Sequence, residues 1–319
     1  MTLWIILIGI ALVAAVAIWL HHLFEGEWLP GDLWREWRLS RVSLAELDQR
    51  WAAATERSDI VISLTTTPSR IDLIEATLKS LLDQGVAPAR IVLNVPHFSR
   101  REQVAYHLPL GLTGLHSILI QRCDDLGPAT KLIPTLQTNA PDTPILVVDD
   151  DRIYPRWLVE RYAQESAENP DRASTMAGWI VPGDLTDRDT TIISNLMMRP
   201  PAPIRAHRLR AAREIDVLLG VMSYLVRPRF FDRAEMLDMS DGPEALFFVD
   251  DVRTSALCKV PKVVLPAKSL SFIPWTSRAA LQKTRLGQIN AGPGDPDLRH
   301  NTVGIRYYKD RWRVGGPRP

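Results

Sequence analysis

The feature that most constrains the fold of this chain is an uninterrupted apolar run close to its N-terminus. Residues 3–20 (LWIILIGIALVAAVAIWL) carry no charge. A helix of this length spans about 27 Å, close to the thickness of about 30 Å of a bilayer's hydrocarbon core. Trp4 and Trp19 lie near its two ends, where indole rings favour the membrane interface. The run therefore predicts a transmembrane helix over residues 3–20.

This apolar run allows two other interpretations, a cleaved signal peptide and a buried core helix. A signal peptide needs a basic segment before its apolar run, and no Lys or Arg precedes residue 3. A core helix is rarely apolar on all sides. Arg35, Arg38 and Arg41 follow the run, so the positive-inside rule predicts a single-pass protein whose catalytic domain lies on the cytoplasmic face.

Residues 21–58 are expected to form a helical juxtamembrane segment. Its part from residue 28 to residue 51 is rich in Trp, Leu and Arg at helical spacing. Such a helix either lies on the lipid surface as an amphipathic helix or packs against the soluble domain, and the sequence leaves both interpretations open.

From residue 59 onward, short strand patterns alternate with helical patterns. Aliphatic runs that indicate buried strands lie at 60–65, 90–95, 117–121 and 144–148. Helical spacing or helix-start signals lie at 71–84, 129–137 and 155–168. This alternation predicts an α/β fold with a mainly parallel central sheet flanked by helices. Ligands of such sheets bind at the carboxyl ends of the strands.

The second half of the chain is less regular. Strands are expected at 174–181 and 262–272, and a helix is expected after Phe247, whereas residues 182–213 are expected to be irregular. We place the soluble domain at residues 59–286. Residues 287–319, rich in Gly, Pro and Asp, are expected to form a C-terminal tail that is poorly ordered or wraps around the domain.

Composition and missing motifs exclude several classes of protein. Lys and Arg number 38 against 37 Asp and Glu, so the chain lacks the positive field of a general nucleic-acid binder. Only Cys123 and Cys258 are present, which excludes a disulfide scaffold and a Cys-rich zinc module. The sequence has no P-loop, no Gly-x-Gly-x-x-Gly after its first strand and no Gly-x-Ser-x-Gly.

Three consecutive acids, Asp149, Asp150 and Asp151, directly follow the strand pattern at 144–148. Side chains alternate along an extended chain, so Asp149 and Asp151 can point to the same side. Two carboxylates on one side suit Mg²⁺ or Mn²⁺, hard cations that prefer oxygen ligands and bridge the phosphates of substrates. The other interpretation is an acidic turn with solvated side chains.

The order of these features resembles the nucleotide-sugar-dependent glycosyltransferases of the GT-A type, similar to family 2 and related membrane-anchored bacterial enzymes. In that fold a Rossmann-like half binds the nucleotide, and a DxD motif after a central strand holds the metal on the diphosphate. Asp149-Asp150-Asp151 matches this motif in type and place. The resemblance covers residues 60–272 and implies Mn²⁺ or Mg²⁺ bound by Asp149 and Asp151.

The resemblance also implies residues for the nucleotide-sugar donor. The segment VISLTTTPSR, residues 61–70, is similar to the family's opening strand and nucleotide-contacting loop, which includes Thr66 and Arg70 here. Asp149 would share in holding the donor. The segment CDDLGPATKL, residues 123–132, is similar to the family segment before the DxD strand.

Within that second segment, the resemblance implies Asp125 for the base or ribose and Lys131 for a phosphate or ribose. Gly220 would let the donor sugar approach the backbone. Other interpretations are a solvated helix lysine and an ordinary strand glycine. Trp179 either stacks on a sugar ring or is buried in the core.

A second pair of acids, Asp250 and Asp251, follows the apolar residues Phe247 to Val249. It resembles the acidic pair of inverting GT-A enzymes, which implies that Asp251 is the general base and that Asp250 supports it. A carboxylate near apolar side chains has a raised pKa, which suits a base that removes a proton from a sugar hydroxyl. The other interpretation is capping of a helix N-terminus.

Two C-terminal features are open to several interpretations. His300 is a candidate third metal ligand, because some GT-A enzymes bring a C-terminal His to the metal, or it is an exposed histidine without a ligand. The stretch 199–213 carries five arginines. It either closes on the diphosphate, meets a phospholipid or polyprenyl phosphate at the membrane, or forms a solvated loop.

Together these features predict an inverting glycosyltransferase that moves one sugar from a nucleoside-diphosphate sugar to a glycan or lipid-linked acceptor, with membrane lipid but no nucleic acid as partner. The chain lacks the Gln-x-x-Arg-Trp segment of processive family 2 synthases. One alternative is a sugar-phosphate or nucleotidyl transferase, which would need a glycine-rich loop after the first strand. The other is a membrane-tethered binding module with a degenerate site.

Overall fold

The computed structural model describes residues 2–238, 240, 242–283, 290 and 294–317. The expected boundary between domain and tail, at residues 286 and 287, lies outside the described residues. The chain forms an α/β body that follows a long N-terminal helix, α1 (Thr2–Glu25). The apolar window of α1 is not buried by any other described part of the chain, and its length and composition are sufficient to cross a membrane.

The remaining helices lie around the body. They are α2 (Leu29–Ser40), α3 (Leu44–Ala53), α4 (Glu75–Leu82), α5 (Ile133–Thr138), α6 (Leu158–Glu168), α7 (Ile192–Met197), α8 (Arg233–Leu237), α9 (Asp250–Leu257), α10 (Arg278–Lys283) and α11 (His300–Tyr307).

The strands are short, and eight of them form the central sheet. In chain order they are β1 (Val61–Thr65), β2 (Arg90–Pro96), β3 (Phe98–Ser99), β4 (Val104–Ala105), β5 (Ile118–Cys123), β6 (Ile145–Val147), β7 (Ala173–Thr175), β8 (Ala177–Trp179), β9 (Ile204–Arg205), β10 (Arg213–Ile215), β11 (Val217–Leu218), β12 (Tyr224–Val226) and β13 (Lys262–Val264).

The order of the central sheet is β10-β13-β7-β12-β6-β1-β2-β5. Strands β5, β2, β1 and β6 are parallel, and β7 is parallel to β13, whereas β12 and β10 are antiparallel to their neighbours. The predicted α/β fold with a mainly parallel sheet flanked by helices is therefore confirmed. Strands β1 and β2 are buried on both faces along most of their length, which explains their largely apolar sequences.

Three expected elements differ from the structure. The strand expected at 262–272 ends at Val264, shortly before Pro266, which has no N–H group to donate to a neighbouring strand. The strand expected at 174–181 is divided at Met176 into β7 and β8, which belong to different sheets. The stretch expected to be irregular, 182–213, contains α7, whose first turn is fixed by a capping box between Thr191 and Ser194. Helix α7 has only six residues, so its apolar periodicity is too short to be recognised in the sequence.

Two buried carboxylates bind backbone N–H groups and so hold helix α2 and the C-terminal segment against the body. Glu36 of α2 accepts hydrogen bonds from the backbone N–H groups of Trp275 (2.9 Å) and Thr276 (3.0 Å). Asp216 accepts from the backbone of Val314 (2.8 Å) and Gly315 (2.7 Å), so the last described residues of the tail pack against the body. The juxtamembrane helix α2 likewise packs one face on the body.

Candidate active site

The carboxyl ends of β1 and β6 meet the start of α9 at a cleft of about 580 Å³. Its lining includes most of the site residues predicted from the sequence: Thr66, Arg70, Asp125, Lys131, Asp149, Asp151, Asp250 and Asp251. The position agrees with the general rule for ligands of open α/β sheets.

Asp150, the middle acid of the triplet, points into the protein. Its carboxylate accepts a hydrogen bond from Oγ1 of Thr66 at 2.5 Å and another from the Arg70 guanidinium at 2.9 Å. Its own carbonyl oxygen accepts from Oγ1 of Thr77 at 2.8 Å. Burial raises the pKa of Asp150 to about 6, although Arg70 opposes the rise. Asp150 therefore fixes the shape of the turn that carries the other two acids.

Asp149 and Asp151 are paired with different cations. Oδ1 of Asp149 lies 3.1 Å from Nζ of Lys131, and Oδ2 of Asp151 lies 3.3 Å from the guanidinium of Arg70. The second oxygen of Asp151, Oδ1, is buried and has no hydrogen-bond partner within the described residues. A buried carboxylate oxygen without a partner is costly, so it marks a place where a ligand would be stabilised.

Lys131 lies at the centre of the acidic groups. It ends the 3₁₀ turn Gly127–Lys131 and is buried. Besides Asp149, its Nζ lies 3.0 Å from Oδ2 of Asp250 and 3.7 Å from Oδ1 of Asp251. Burial lowers the pKa of the ammonium, but the three carboxylates together raise it well above its ordinary value. Lys131 therefore stays charged, and the interpretation as a solvated lysine is wrong.

The second acidic pair lies in the first turn of α9. Oδ2 of Asp251 accepts a hydrogen bond of 3.0 Å from the backbone N–H of Gly220. Burial, and then the neighbouring Asp250, raise the pKa of Asp251 to about 7. The residue that precedes the helix is Val249, and no side chain in the described structure caps this end. Asp250 and Asp251 therefore lie in the first turn, where the helix dipole favours acids, but neither is the N-cap residue.

Gly220 lies directly behind the two charged groups. A Cβ atom at this position would clash with Nζ of Lys131 and would lie 2.8 Å from Oδ1 of Asp251. The absence of a side chain therefore lets the ammonium and the carboxylate approach the backbone. The structure thus supplies a reason for glycine at this position that does not involve a sugar.

Asp125 shapes the loop at one wall of the cleft. Its carboxylate accepts hydrogen bonds from the backbone N–H groups of Arg100 (2.6 Å) and Gly127 (2.8 Å). Gly127 has a φ of +63°, and a Cβ atom there would lie 2.6 Å from the carbonyl oxygen of Phe247. This loop therefore packs tightly against the segment that leads into α9.

His300 lies at the start of α11. Its Nδ1 is 3.2 Å from Oδ1 of Asn290, and its ring stacks on Phe248 at 5.2 Å. No hydrogen bond or ion pair between described residues joins it to the aspartates. Within the part of the chain that the structure describes, no group of three or more His, Cys, Asp or Glu side chains is placed to hold a metal ion. A role for His300 as a ligand stays a prediction.

The acid cluster nevertheless fits a hard divalent cation. Its free donors are carboxylate oxygens, including the buried Oδ1 of Asp151 that lacks a partner. Five aspartates (Asp149, Asp150, Asp151, Asp250 and Asp251) face two cations, Arg70 and Lys131, so carboxylates are in excess over these two partners. Mg²⁺ typically uses one or two protein carboxylates together with phosphate oxygens and water.

Several lining residues were not predicted from the sequence. Arg101, Tyr106, Arg152 and Glu25 also face the cleft, whereas Arg205, which faces it too, belongs to the arginine-rich stretch 199–213 already singled out in the sequence. Arg152 directly follows the acid triplet, so its place could have been expected. Glu25 ends α1 and has no sequence pattern that connects it with the site. Trp179 is buried in the core and also borders the cleft, so the two interpretations of this residue are compatible.

No protein-family model matches the sequence, and no curated protein matches it either. The solved structures with a limited likeness to the chain include the three described here. The mannosyltransferase PcManGT from Pyrobaculum calidifontis, solved with GDP-Man and Mn²⁺, is 14% identical over 92% of this chain and 80% of its own, with a TM-score of 0.42. TarS 1-349 from S. aureus, solved with UDP-GlcNAc, is 12% identical over 78% of this chain and 71% of its own, with a TM-score of 0.42.

The third structure is a 4-diphosphocytidyl-2C-methyl-D-erythritol synthase, 12% identical over 72% of this chain and 99% of its own, with a TM-score of 0.41. Likeness at this level does not establish the reaction of this chain, which depends on the residues of its cleft.

Proposed function

We propose that the chain is a membrane-attached, inverting GT-A glycosyltransferase that moves one sugar from a nucleoside-diphosphate sugar to a hydroxyl group of a glycan or lipid-linked acceptor. The observation that carries this proposal is the meeting of two acidic groups in one cleft. An acid that follows β6, Asp149, and an acid that begins α9, Asp250, both form ion pairs with the same buried lysine, Lys131. Donor activation and acceptor deprotonation need such groups close together.

Asp149 and Asp151 would hold Mn²⁺ or Mg²⁺ in this site. A bound divalent cation supplies positive charge to the diphosphate as it leaves. Asp150 would not join them, because Thr66 and Arg70 already occupy its oxygens. Arg70, beside Asp151, lies where a cationic side chain can also bind a diphosphate oxygen.

Asp251 would act as the general base. The acceptor hydroxyl oxygen forms a bond to the anomeric carbon while the bond from that carbon to the diphosphate oxygen breaks. The hydroxyl proton passes to the carboxylate of Asp251, and the nucleoside diphosphate leaves with the bonding electrons. A pKa raised to about 7 suits this role, because the carboxylate is then a stronger base than an ordinary aspartate at neutral pH.

Lys131 would position the acids and control their charge. Its ammonium contacts Asp149 on the donor side and Asp250 on the acceptor side, so one positive charge lies between the two carboxylates and offsets part of their negative charge. The apolar helix α1 would hold this body on the cytoplasmic face of a membrane, in agreement with the arginines that follow it.

The test is calorimetric titration of the full chain, in nanodiscs, with uridine and guanosine diphosphates in the presence and absence of Mn²⁺. We expect micromolar binding of one nucleotide that depends on the metal and is lost in Asp151→Asn. The matched control is Asp310→Asn, which changes an exposed acid in the C-terminal segment. A screen of sugar nucleotides by thermal shift then identifies the donor.

The same experiment separates the alternatives. Failure to bind any nucleoside diphosphate would favour a membrane-tethered module without activity. Release of pyrophosphate from a nucleoside triphosphate in the presence of a sugar phosphate would favour a nucleotidyl transferase. Metal-independent binding that survives Asp151→Asn would remove the metal role of the triplet.

A further inference from the structure

Helix α2 has the opposite of the usual arrangement for a helix on the surface of a soluble protein. Its buried side chains are Asp32, Glu36 and Leu39, two of them acidic. Apart from Leu39, its large apolar side chains Leu33, Trp34 and Trp37 are exposed, Trp34 by 62%. Trp37, one turn further, stacks on Trp34 with ring centroids 4.8 Å apart. An aromatic face of this kind does not favour contact with water.

The polar face of α2 is held by specific contacts, so its aromatic face cannot easily turn inward. Nε of Arg35 donates to the carbonyl oxygen of Tyr154 at 2.8 Å, and the same guanidinium pairs with Asp83 at 3.0 Å. Glu36 binds the backbone at Trp275 and Thr276 as described above. These bonds fix which side of α2 faces outward.

Helix α7 shows the same arrangement. Ser194 is buried, whereas Ile192, Ile193, Leu196 and Met197 are exposed, Ile193 by 74%. Four exposed aliphatic side chains on one short helix are unusual for a surface in contact with water only.

The structure brings α7 close to the end of α1. The Arg208 guanidinium donates to the carbonyl oxygens of Asn195 (2.5 Å) and Leu196 (2.6 Å) near the C-terminus of α7. The adjacent residue, His207, contacts the carbonyl oxygen of Leu23 in α1 through its Nε2 at 3.2 Å. Helix α2 begins only a few residues after α1, beyond a turn at Gly26 with a φ of +81°. Both outward apolar faces therefore flank the end of the apolar helix.

We propose that these two faces, Trp28, Leu33, Trp34 and Trp37 of the α2 region and Ile192, Ile193, Leu196 and Met197 of α7, form a platform that lies in the interface of the bilayer that α1 enters. Interfacial positions favour tryptophan, and an immersed helix places its apolar side chains about 5–10 Å into the boundary of headgroups and acyl chains. The exposed Arg41 and Arg199 follow these two faces within four residues in the sequence and suit anionic headgroups.

The platform would set the position of the cleft. Glu25, which ends α1, and Arg205, beside the α7 contact, both line the cleft. With the platform immersed, this edge of the cleft lies beside the headgroups, where a lipid-linked hydroxyl acceptor is within reach. The inference rests on the membrane attachment in the proposed function but not on the chemistry of transfer.

The test uses the full chain in vesicles of phosphatidylcholine and phosphatidylglycerol. Single cysteines are introduced by Trp34→Cys and Ile193→Cys in a Cys123→Ser background, since the remaining Cys258 is buried. Each carries an environment-sensitive fluorophore, quenched by lipids labelled either near the headgroup or at the chain end. Ile10→Cys reports on α1. Leu110→Cys is the matched control, since Leu110 is 88% exposed but belongs to neither face.

We expect the probes at residues 34 and 193 to be quenched at least about twofold more strongly by the shallow label than by the deep one. The probe at residue 10 should show the reverse order, and the probe at residue 110 should not be quenched. Quenching at residue 10 without quenching at 34 and 193 would overturn the platform and leave the membrane span intact. Equal quenching at 110 and 34 would show unspecific adsorption and would also overturn it. If the probe at residue 10 is not quenched, helix α1 does not enter the bilayer and the proposed membrane attachment is wrong. The proposed sugar transfer is tested by a separate assay.

Discussion

The ammonium of Lys131 lies 3.0 Å from Oδ2 of Asp250, and this ion pair joins the 3₁₀ turn before α5 to the start of α9. The same ammonium lies 3.1 Å from Asp149. One buried cation therefore keeps the acids proposed for the donor and those proposed for the acceptor in a fixed relationship. Removal of one partner from such a buried network leaves uncompensated charge, which is strongly destabilising.

Replacing the proposed base should abolish most of the activity without unfolding the chain. We expect Asp251→Asn to lower kcat for sugar transfer by about 10²–10⁴-fold, since the amide cannot accept the hydroxyl proton. The amide oxygen can still accept the hydrogen bond from Gly220, so nucleotide binding and Tm should change little. Steady-state kinetics with the donor identified above checks this, with Asp310→Asn as the control. An unchanged kcat would exclude Asp251 as the base.

The pH dependence of the rate should report the charge of Lys131. Because only ionised Asp251 can accept a proton, and its pKa is raised to about 7, kcat/KM should rise with pH and level off above about 7. Lys131→Met removes a positive charge that lowers the pKa of Asp251. The rise of kcat/KM with pH should therefore move to higher pH by at least about one unit. Lys131→Arg keeps the charge, so its kcat/KM should rise over nearly the same pH range as that of the native chain. If kcat/KM of Lys131→Met rises over the same pH range as that of the native chain, the charge of Lys131 does not control the pKa of Asp251.

The missing side chain at residue 220 should be needed for both stability and activity. In Gly220→Ala the new Cβ would meet Lys131 and Asp251, so one of the two charged groups must move. We expect a loss of about 1–3 kcal/mol in the free energy of unfolding and a fall in kcat of at least about tenfold. Gly111→Ala is the matched control, because nothing lies within 4 Å of its Cβ position. Thermal melts and steady-state kinetics of the two variants measure these losses. Equal Tm and kcat in Gly220→Ala and Gly111→Ala would contradict the prediction.

A buried acid in α2 should make stability depend on pH. Burial, and then Glu27, raise the pKa of Asp32 to about 7, and Oδ2 of this residue is buried without a hydrogen-bond partner among the described residues. A group whose pKa is raised on folding stabilises the fold while it is protonated, and this contribution is lost as pH rises through the folded pKa. The native chain should therefore lose up to about 4 kcal/mol from this group between roughly pH 4 and pH 8.

Asp32→Asn removes this titration. We expect its Tm to exceed that of the native chain at about pH 8 and to match it at about pH 5, because both carry a neutral side chain at the lower pH. Thermal melts across this range, with Asp310→Asn as the exposed control, measure the difference. Equal pH dependence of the variant and the native chain would show that Asp32 is already neutralised by another group.

Much of the scaffold could be predicted because its signals are local. The run at residues 3–20 predicted the apolar helix, and the β-branched stretch of β1 predicted a buried parallel strand, since hydrophobic periodicity depends on neighbours in the chain. The β7–β8 break at Met176 and the short α7 could not be predicted. The β7–β8 break depends on pairing with strands that come later in the sequence, whereas α7 is too short for its apolar periodicity to be recognised.

The sequence alone determined the apolar N-terminal helix, the alternation of strands and helices, and two groups of acids at the ends of apolar stretches. Only the tertiary structure decided that Asp149 pairs with Lys131 while Asp151 pairs with Arg70, that Glu25 reaches the cleft, and that the tryptophans of α2 face outward. The physical reason is that a buried charge must find its partner in space. The order of strands in the sheet and the packing of loops determine that partner, and no local pattern of residues predicts either of them.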